Sequence, residues 1–204
     1  MATGKRDTAD YYTVKARSEG YPARSVYKLK EIQDSFHLIR HNDTVLDVGS
    51  APGSWTLYTQ KQILKGSGRV VSVDLNPLNL KSVPENVSFI QGDAFSEEVY
   101  NQLIQYGPYD VIISDVAPMT TGNRTVDTAK SEYLVKNVIK LAEKSLKNGG
   151  NMVLKIFQGE GMREISVLMK TLFQNVRQFK PNACRTDSFE IYIIGTNRRK
   201  ADYE

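Results

Sequence analysis

The feature that most constrains the fold of this chain is the alternation of short apolar segments with helix-like segments after Ser25. Five short runs rich in branched apolar residues predict buried strands. These predicted strands span residues 44–48, 69–74, 87–90, 111–115 and 152–157. Strands that alternate with helices are typical of a largely parallel, doubly wound sheet. The chain is therefore predicted to be an α/β protein with helices on both faces of its sheet.

An amphipathic helix is predicted to begin at Ser25, because apolar residues recur at helical spacing as far as Phe36. Four more helices are predicted at residues 55–64, 97–105, 128–146 and 161–173. Two late segments, residues 176–179 and 190–196, are predicted to pair as a hairpin. Together these segments predict a sheet of seven strands, most of them parallel.

The length and the charge distribution indicate one domain with a basic end. A chain of 204 residues is long enough for one well-buried α/β domain and short for two. We predict a basic N-terminal arm over residues 1–24 and a single domain over residues 25–204. Residues 1–40 contain eight Lys or Arg and five Asp or Glu, so they carry three of the four net positive charges. This asymmetry favours an anionic partner, although a solvated charged terminus has the same composition.

The composition excludes several kinds of site. Cys184 is the single cysteine, which excludes a disulfide framework and a zinc site built on cysteines. No spacing of carboxylates around His37 and His41 supports a metal site, so no metal is predicted. No apolar stretch approaches the roughly 20 residues that span a bilayer, and residues 1–7 lack the apolar region of a signal peptide. A soluble cytoplasmic protein is therefore predicted.

Three ionisable residues lie where apolar strands are predicted to begin or end. Lys155 lies inside the fifth predicted strand, Asp115 ends the fourth, and Glu190 opens the last. Lysine is rarely buried unless it is paired or functional. Taken alone, Lys155 has a second interpretation as an edge-strand or snorkelling lysine. Because ligands of open α/β sheets bind beyond the carboxyl ends of the strands, the three residues together predict an active site at one edge of the sheet.

The loop between the first strand and the next helix, residues 47–55, has the character of a nucleoside-binding loop. Gly49 and Gly53 would let the backbone turn tightly and let a cofactor approach without a Cβ in the way. Asp74 ends the second strand, where a carboxylate can accept hydrogen bonds from ribose hydroxyls. Asp93 follows the third strand and could meet an adenine amino group. Each carboxylate alone is better explained as a turn or cap residue, but in register they indicate a nucleoside pocket.

This loop is not the dinucleotide-binding fingerprint. Its glycines are spaced Gly-x-x-x-Gly, and Pro52 removes a backbone donor where a pyrophosphate would need one. The pocket suits a nucleoside without phosphates, so we predict S-adenosylmethionine as the cofactor. The same spacing disfavours a nicotinamide dehydrogenase.

Longer motifs are spread along residues 21–195. They are GYPARSVYKL at residues 20–29, DVGSAPGSW at 47–55, SDVAP at 114–118, VLK at 153–155, and KP at 180–181 followed by SFEIY at 188–192. In these motifs the chain resembles the FtsJ-type RNA ribose 2′-O-methyltransferases. The resemblance implies a Rossmann-like class I S-adenosylmethionine-dependent methyltransferase fold. Ser54 and Cys184 depart from the family, which usually has glycine and serine at these positions.

The resemblance also implies roles for particular residues. It implies a catalytic tetrad of Lys28, Asp115, Lys155 and Glu190. It implies cofactor contacts at Gly53, Trp55, Asp74, Asp93 and Asp115. A ribose hydroxyl is a poor nucleophile until a base takes its proton, and a lysine does so only as the neutral amine. We interpret Lys155 as that base and Asp115 as the residue that orients it, while Lys28 and Glu190 either position the ribose or buffer the charge.

Basic residues alternate with tyrosines near the N-terminus, where cations could follow phosphates while rings stack on unpaired bases. The predicted RNA contacts are Lys5, Arg6, Arg17, Arg24 and Lys30, with Arg124 in the loop after the fourth strand. The tyrosines are Tyr11, Tyr12, Tyr21 and Tyr27. The alternative interpretation is that Tyr27 packs in the core and the first twenty residues are a solvated tail.

The function that the resemblance implies is S-adenosylmethionine-dependent 2′-O-methylation of a ribose, that of a uridine, in 23S-type RNA of the large ribosomal subunit. We predict that the substrate is the assembled large subunit, and our default expectation is a monomer in the cytoplasm. Two alternatives remain open. One is a ribose 2′-O-methyltransferase of the tRNA anticodon loop, and the other is a noncatalytic RNA-binding factor for ribosome assembly.

Overall fold

The computed structural model describes residues 11–185 and 187–200. Its strands are β1 (Thr44–Val48), β2 (Arg69–Asp74), β3 (Val87–Gln91), β4 (Tyr109–Ser114), β5 (Leu146–Phe157), β6 (Phe173–Phe179) and β7 (Glu190–Arg198). Its helices are α1 (Tyr11–Ser18), α2 (Val26–Phe36), α3 (Ser54–Tyr58), α4 (Glu97–Tyr106), α5 (Arg124–Ser145) and α6 (Met162–Leu172). A π-helical segment, Thr59–Leu64, continues α3.

The seven strands form one sheet in the order β3-β2-β1-β4-β5-β7-β6. Strands β1 to β5 pair in parallel, whereas β7 lies antiparallel between β5 and β6. The predicted seven-stranded, mostly parallel sheet is confirmed, and so is the antiparallel pairing of the last two strands.

Helices cover both faces of the sheet. Alternate side chains of a strand point to opposite faces. Val45 and Val111 pack on the face covered by α1, α2 and α3. Leu46 and Ile112 pack on the face covered by α4, α5 and α6. Because both faces are buried, the central strands read as continuous apolar runs, and the doubly wound architecture is confirmed.

The strand order reverses direction between β1 and β4. From β1 the chain proceeds outward to β2 and β3, and then returns to the other side of β1 to form β4. The loops that leave the carboxyl ends of β1 and β4 therefore diverge and open a crevice between them, which is where open α/β sheets bind ligands. Gly49 and Asp115 are the first residues after these two strands.

Helix α1 was not predicted. Its Ala16 is fully buried, and Tyr21, which follows it, packs in the same core cluster as α2. Part of the predicted basic arm therefore packs on the sheet domain. The division of the chain into an arm over residues 1–24 and a domain over residues 25–204 stays a prediction.

Two boundaries differ from the predicted ones by four or more residues. Helix α5 begins four residues before the predicted start, because the side chain of Asn123 accepts hydrogen bonds from the amides of Thr125 and Val126 and caps the helix. Strand β5 begins directly after α5, six residues before its predicted start, and so includes Gly149 and Gly150. The strand passes through these glycines with an irregular register against β4.

Within the described ranges, no helix combines the length and the apolar character that crossing a bilayer requires. The same residues contain no group of three or more His, Cys, Asp or Glu side chains that could hold a metal ion.

Candidate active site

Three strands and one helix bring four charged side chains to the crevice. Asp115 follows β4, which pairs with β5 so that Ser114 lies opposite Leu154, next to Lys155. Glu190 opens β7 and lies opposite Phe157 at the end of β5. Lys28 comes from α2, in the helical layer above this end of the sheet.

The four side chains form two ion pairs. Lys155 Nζ lies 3.1 Å from Asp115 Oδ1 and also donates to the backbone oxygen of Asp115. Lys28 Nζ lies 2.6 Å from Glu190 Oε1. Lys155 and Glu190 are buried, and their partners are largely so. The structure thus brings together the four residues of the predicted tetrad.

Tyr192 completes the site, and the sequence analysis missed it. Its hydroxyl donates to Asp115 Oδ1 at 2.7 Å, and its ring centroid lies 5.9 Å from that of Trp55. Trp55 Nε1 in turn donates to the backbone oxygen of Ser25 at 2.8 Å. The period of two along a strand could have revealed Tyr192, because it lies on the same face of β7 as Glu190.

The charged groups of the site shift each other's pKa values. Burial acts to raise the pKa of Asp115, but the ammonium groups of Lys155 and Lys28 outweigh burial, so the pKa lies below its ordinary value. Burial acts to lower the pKa of Lys28, but Asp115 and Glu190 outweigh it and raise the pKa. Burial also raises the pKa of Tyr192 well above its ordinary value. Asp115 is therefore ionised, Lys28 is charged, and Tyr192 is a neutral donor at physiological pH.

The loop after β1 folds tightly against the loop after β4. Gly49 has a φ of +77°, and a Cβ there would lie 2.7 Å from the Cα of Val116. Gly53, with a φ of +109°, precedes α3 and is buried. Any side chain at Gly49 would push the two loops apart, so glycine is required for the walls of the crevice to meet.

Buried polar atoms at this loop fit a polar ligand. Asp47 Oδ1 and Ser50 Oγ are buried and have no hydrogen-bond partner among the residues that the structure describes. The other carboxylate oxygen of Asp47 accepts from Thr56 Oγ1 at 2.6 Å. Burial raises the pKa of Asp47 to about 7. Buried polar groups without partners are rare in native proteins and indicate a missing bonding partner.

Asp74 is the last residue of β2 and Asp93 lies two residues beyond the end of β3, as predicted from their positions in the sequence. Asp74 accepts from the amides of Ala51 and Asn76 at 2.9 and 2.8 Å, so it also shapes the loop. Asp93 accepts from the amide of Phe95 at 2.9 Å. A carboxylate has about four acceptor positions, so both retain capacity for the hydroxyl or amino groups of a nucleoside. With Asp115 present for a positive sulfur, these residues fit S-adenosylmethionine.

The two departures from the family motifs are accommodated locally. Ser54 Oγ accepts from the amide of Ala23 at 2.8 Å and donates to the Ala23 oxygen at 3.1 Å, which ties α3 to the segment before α2. Cys184 lies beside Glu190, and burial, with the Glu190 carboxylate acting in the same direction, raises the pKa of its thiol to about 12. The thiol is therefore neutral and a weak nucleophile.

The residues that were predicted to contact RNA differ in their exposure and in their partners. Lys5 and Arg6 lie outside the described residues. Arg17 is exposed on α1, and Lys30 is exposed but lies 2.8 Å from Asp34. Arg24 donates to the backbone oxygen of Ala183 at 2.6 Å and so contributes to the packing. Their roles in RNA binding stay predictions.

The aromatic residues and Arg124 complete this comparison. Tyr21 and Tyr27 are buried, in line with the interpretation that Tyr27 packs in the core, whereas Tyr11 is exposed. The Arg124 guanidinium lies 5.4 Å from the ring centroid of Phe189, the residue before Glu190. Arg124 therefore lies at the rim of the crevice, beside the two ion pairs.

The sheet has one antiparallel strand, which lies next to its edge, and the loop at its switch point suits a nucleoside without phosphates. These two features are typical of the Rossmann-like methyltransferases. The predicted fold class is thereby confirmed. A family model described as FtsJ-like methyltransferase matches residues 21–198, and the chain belongs to that family.

Individual relatives agree with this assignment. The chain is 48% identical over 195 residues to ribosomal RNA large subunit methyltransferase E of Treponema denticola, covering 96% of this chain and 98% of that protein. A Plasmodium falciparum protein described as a ribosomal RNA methyltransferase has a similar structure, with a TM-score of 0.76 and 25% identity over 87% of this chain and 98% of that one. Aeropyrum pernix fibrillarin with bound S-adenosylmethionine shares the fold, with a TM-score of 0.60 and 21% identity over 84% of this chain and 76% of that one.

Proposed function

We propose that this protein transfers the methyl group of S-adenosylmethionine to a ribose 2′-hydroxyl in the RNA of the large ribosomal subunit. The observation that carries the proposal is the pair of lysine–carboxylate contacts beside a loop that fits the cofactor. The name of the Treponema denticola relative supports the large subunit as the source of the substrate. The proposal extends to a uridine of 23S-type RNA, methylated in the assembled subunit by a cytoplasmic monomer.

Each member of the tetrad has a role that its contacts support. When bound, S-adenosylmethionine supplies a methyl group on a positively charged sulfur, which leaves as a neutral thioether. Once Lys155 has given up its own proton and is the neutral amine, it takes the proton of the 2′-hydroxyl while the oxygen forms its bond to the methyl carbon. Asp115 holds Lys155 Nζ at 3.1 Å and so sets the direction from which the amine approaches.

The Lys28–Glu190 pair binds the substrate and takes no part in the proton transfer. Lys28 is charged and donates, and Glu190 accepts, so the pair can exchange its mutual contact for contacts with ribose oxygens. Alignment of the hydroxyl with the methyl group then supplies a large part of the acceleration, because a fixed geometry removes the entropy cost of the encounter.

Transfer of labelled methyl groups tests the proposal. The substrates are assembled large subunits, protein-free ribosomal RNA and tRNA, each from cells that lack this gene. We expect labelling of large-subunit RNA by the wild type and a loss of at least about 100-fold for Lys155→Ala, which removes the base. Lys147→Ala is the matched control, because Lys147 pairs with Asp110 at 2.7 Å near the amino-terminal ends of β5 and β4, away from the site.

The alternatives give different results. Labelling of tRNA alone would replace the ribosomal substrate by tRNA. Binding of S-adenosylmethionine without labelling of any RNA would favour the noncatalytic assembly factor. Full activity of Lys155→Ala would remove Lys155 from the proposed role.

A further inference from the structure

The outer surface of α5 carries a pocket that the proposed reaction does not use. Its lining residues are Pro118, Ala129, Lys130, Tyr133 and Leu134, and its volume is about 460 Å³. The four helical residues lie on one side of α5, because positions three or four apart share a face of a helix. We call this cavity the α5 pocket.

The α5 pocket is rimmed by unusually exposed apolar side chains. Tyr133 is 67% exposed, and Met119, the neighbour of Pro118, is 90% exposed. Scattered exposed apolar side chains are common on proteins, but two of them beside one cavity indicate a surface that contacts a ligand. An aromatic ring with a free face is suited to stacking on another planar ring.

The pocket lies close to the ion pairs. Pro118 is three residues after Asp115, so their Cα atoms are at most about 11 Å apart. Lys130 lies about 9 Å along α5 from Arg124, whose guanidinium lies over Phe189 beside Glu190. An RNA strand whose ribose is held at the ion pairs can therefore place a neighbouring nucleotide at the pocket.

The charge around the pocket suits the same occupant. Lys130 and Arg124 are both exposed and lie six residues apart on α5, Arg124 at the rim of the active site and Lys130 at the pocket. Cations spaced along a path are typical of surfaces that follow a phosphate backbone. The pocket itself offers an aromatic ring and apolar walls, which complement a nucleobase.

We propose that the α5 pocket binds an unpaired nucleobase of the RNA next to the methylated ribose. Tyr133 stacks on the base, and Lys130 pairs with the adjoining phosphate. Stacking is tolerant of sequence, so the pocket holds the strand without reading the identity of the base. This inference rests on the proposed function insofar as the substrate is RNA.

Steady-state kinetics of methyl transfer, measured with the RNA that the wild type methylates, test whether the α5 pocket binds a nucleobase. For Tyr133→Ala we expect KM for RNA to rise about 10-fold with kcat within about 2-fold, since stacking on one base is lost. Tyr133→Phe keeps the ring and should keep the KM of the wild type. Val167→Ala is the control, because Val167 is 56% exposed on α6, away from the pocket. A thermal melt of each variant establishes that it is folded.

A second measurement identifies the occupant. Complexes with RNA that contains 4-thiouridine are irradiated, and the peptides are analysed by mass spectrometry. A nucleotide adduct on the peptide that contains Tyr133 supports the proposal. Nucleotide adducts elsewhere on the protein but none on this peptide would overturn it, and a crosslink of this peptide to a ribosomal protein would assign the pocket to a protein partner instead.

Failure of this inference is distinct from failure of the proposed function. A wild type that methylates RNA while Tyr133→Ala has an unchanged KM would remove the pocket from substrate binding and leave the reaction intact. A KM that rises as much for Tyr133→Phe as for Tyr133→Ala would contradict stacking. A wild type that methylates no RNA would overturn the proposed function itself.

Discussion

The Asp115 carboxylate is contacted by two neighbouring side chains. Lys155 Nζ and the Tyr192 hydroxyl both meet its Oδ1, and the Lys155 ammonium also reaches its backbone oxygen. Buried ion pairs contribute little net stability, because desolvation offsets most of the attraction. Their concentration at one edge of the sheet is therefore better explained by chemistry than by folding. The same contacts hold Asp115 in one position before any substrate arrives.

Asp47 predicts a specific dependence of stability on pH. Its folded pKa is about 7, whereas an unfolded aspartate titrates near 3.9. Between about pH 4 and pH 7 the folded state therefore binds more protons than the unfolded state, and this group makes the protein less stable as pH rises. Asp47→Asn removes the titration. We expect the stability of the variant relative to the wild type to increase from pH 4 to pH 7, by up to about 4 kcal/mol, and then to level off.

Urea unfolding at a series of pH values measures this difference. Asp34→Asn serves as the control, since Asp34 is exposed and pairs with Lys30 on the surface. Parallel curves of stability against pH for Asp47→Asn and the wild type would show that the buried carboxyl does not titrate as its burial requires.

The sequence predicts the charged residues of the site better than the neutral ones. Lys155, Asp115 and Glu190 are conspicuous because charge is rare in apolar strands. Tyr192 is not conspicuous, because tyrosine is common in strands and its role depends on a hydrogen bond across to another strand. Arg24 appeared as a surface cation, and only the fold reveals its bond to the oxygen of Ala183.

Hydrogen bonds connect helix α2 to the turn at residues 181–184, which precedes β7. The Glu31 carboxylate accepts from the amides of Asn182 and Ala183 at 2.6 and 2.8 Å. Arg24, just before α2, donates to the Ala183 oxygen. The helix that carries Lys28 and the strand that begins with Glu190 are thus held together at a second point. This clamp explains how two elements from opposite ends of the chain keep the Lys28–Glu190 pair at 2.6 Å.

Glu31→Ala tests the clamp between α2 and the turn. Loss of two charge-assisted hydrogen bonds should lower the free energy of unfolding by about 1–3 kcal/mol. It should also lower kcat for methyl transfer, because Lys28 and Glu190 are no longer held in register. Urea unfolding and hydrogen exchange at the amide of Ala183 measure the two effects.

The matched control is Lys30→Ala, which breaks the exposed Lys30–Asp34 pair one residue away on the same helix. Such a pair contributes about 0–0.5 kcal/mol. Equal destabilisation by the two substitutions, or unchanged protection of the Ala183 amide in Glu31→Ala, would contradict the clamp.

The strands of this protein can be predicted from the sequence more fully than its short helices. Strands buried on both faces are nearly pure apolar runs, so β1, β2 and β4 are legible in the sequence. Helix α1 has eight residues and a single buried side chain, Ala16, so it lacks a periodic signal and depends on its contacts with the rest of the fold. The early start of α5 depends on one capping side chain, that of Asn123. The pattern of apolar residues does not predict this cap.

The molecule as a whole combines two functions at one edge of its sheet. The loops after β1, β2 and β3 carry the residues proposed to hold the cofactor, and three members of the proposed tetrad lie after β4, within β5 and at the start of β7. The antiparallel insertion of β7 is essential to this arrangement, because it brings the first residue of β7 to the carboxyl end of β5. The parallel order of the other strands and the resemblance of the motifs made this architecture predictable. The position of α2 above the crevice depends on packing, which the sequence does not display.

The dependence of single-turnover methyl transfer on pH tests the central claim most directly. Measurements run from about pH 6 to pH 10 with saturating S-adenosylmethionine and RNA, under conditions where the chemical step limits the rate. If Lys155 takes the proton of the 2′-hydroxyl as the neutral amine, the rate of the wild type rises with pH within this range. A rate that does not rise anywhere in this range would contradict the role of Lys155 as the base.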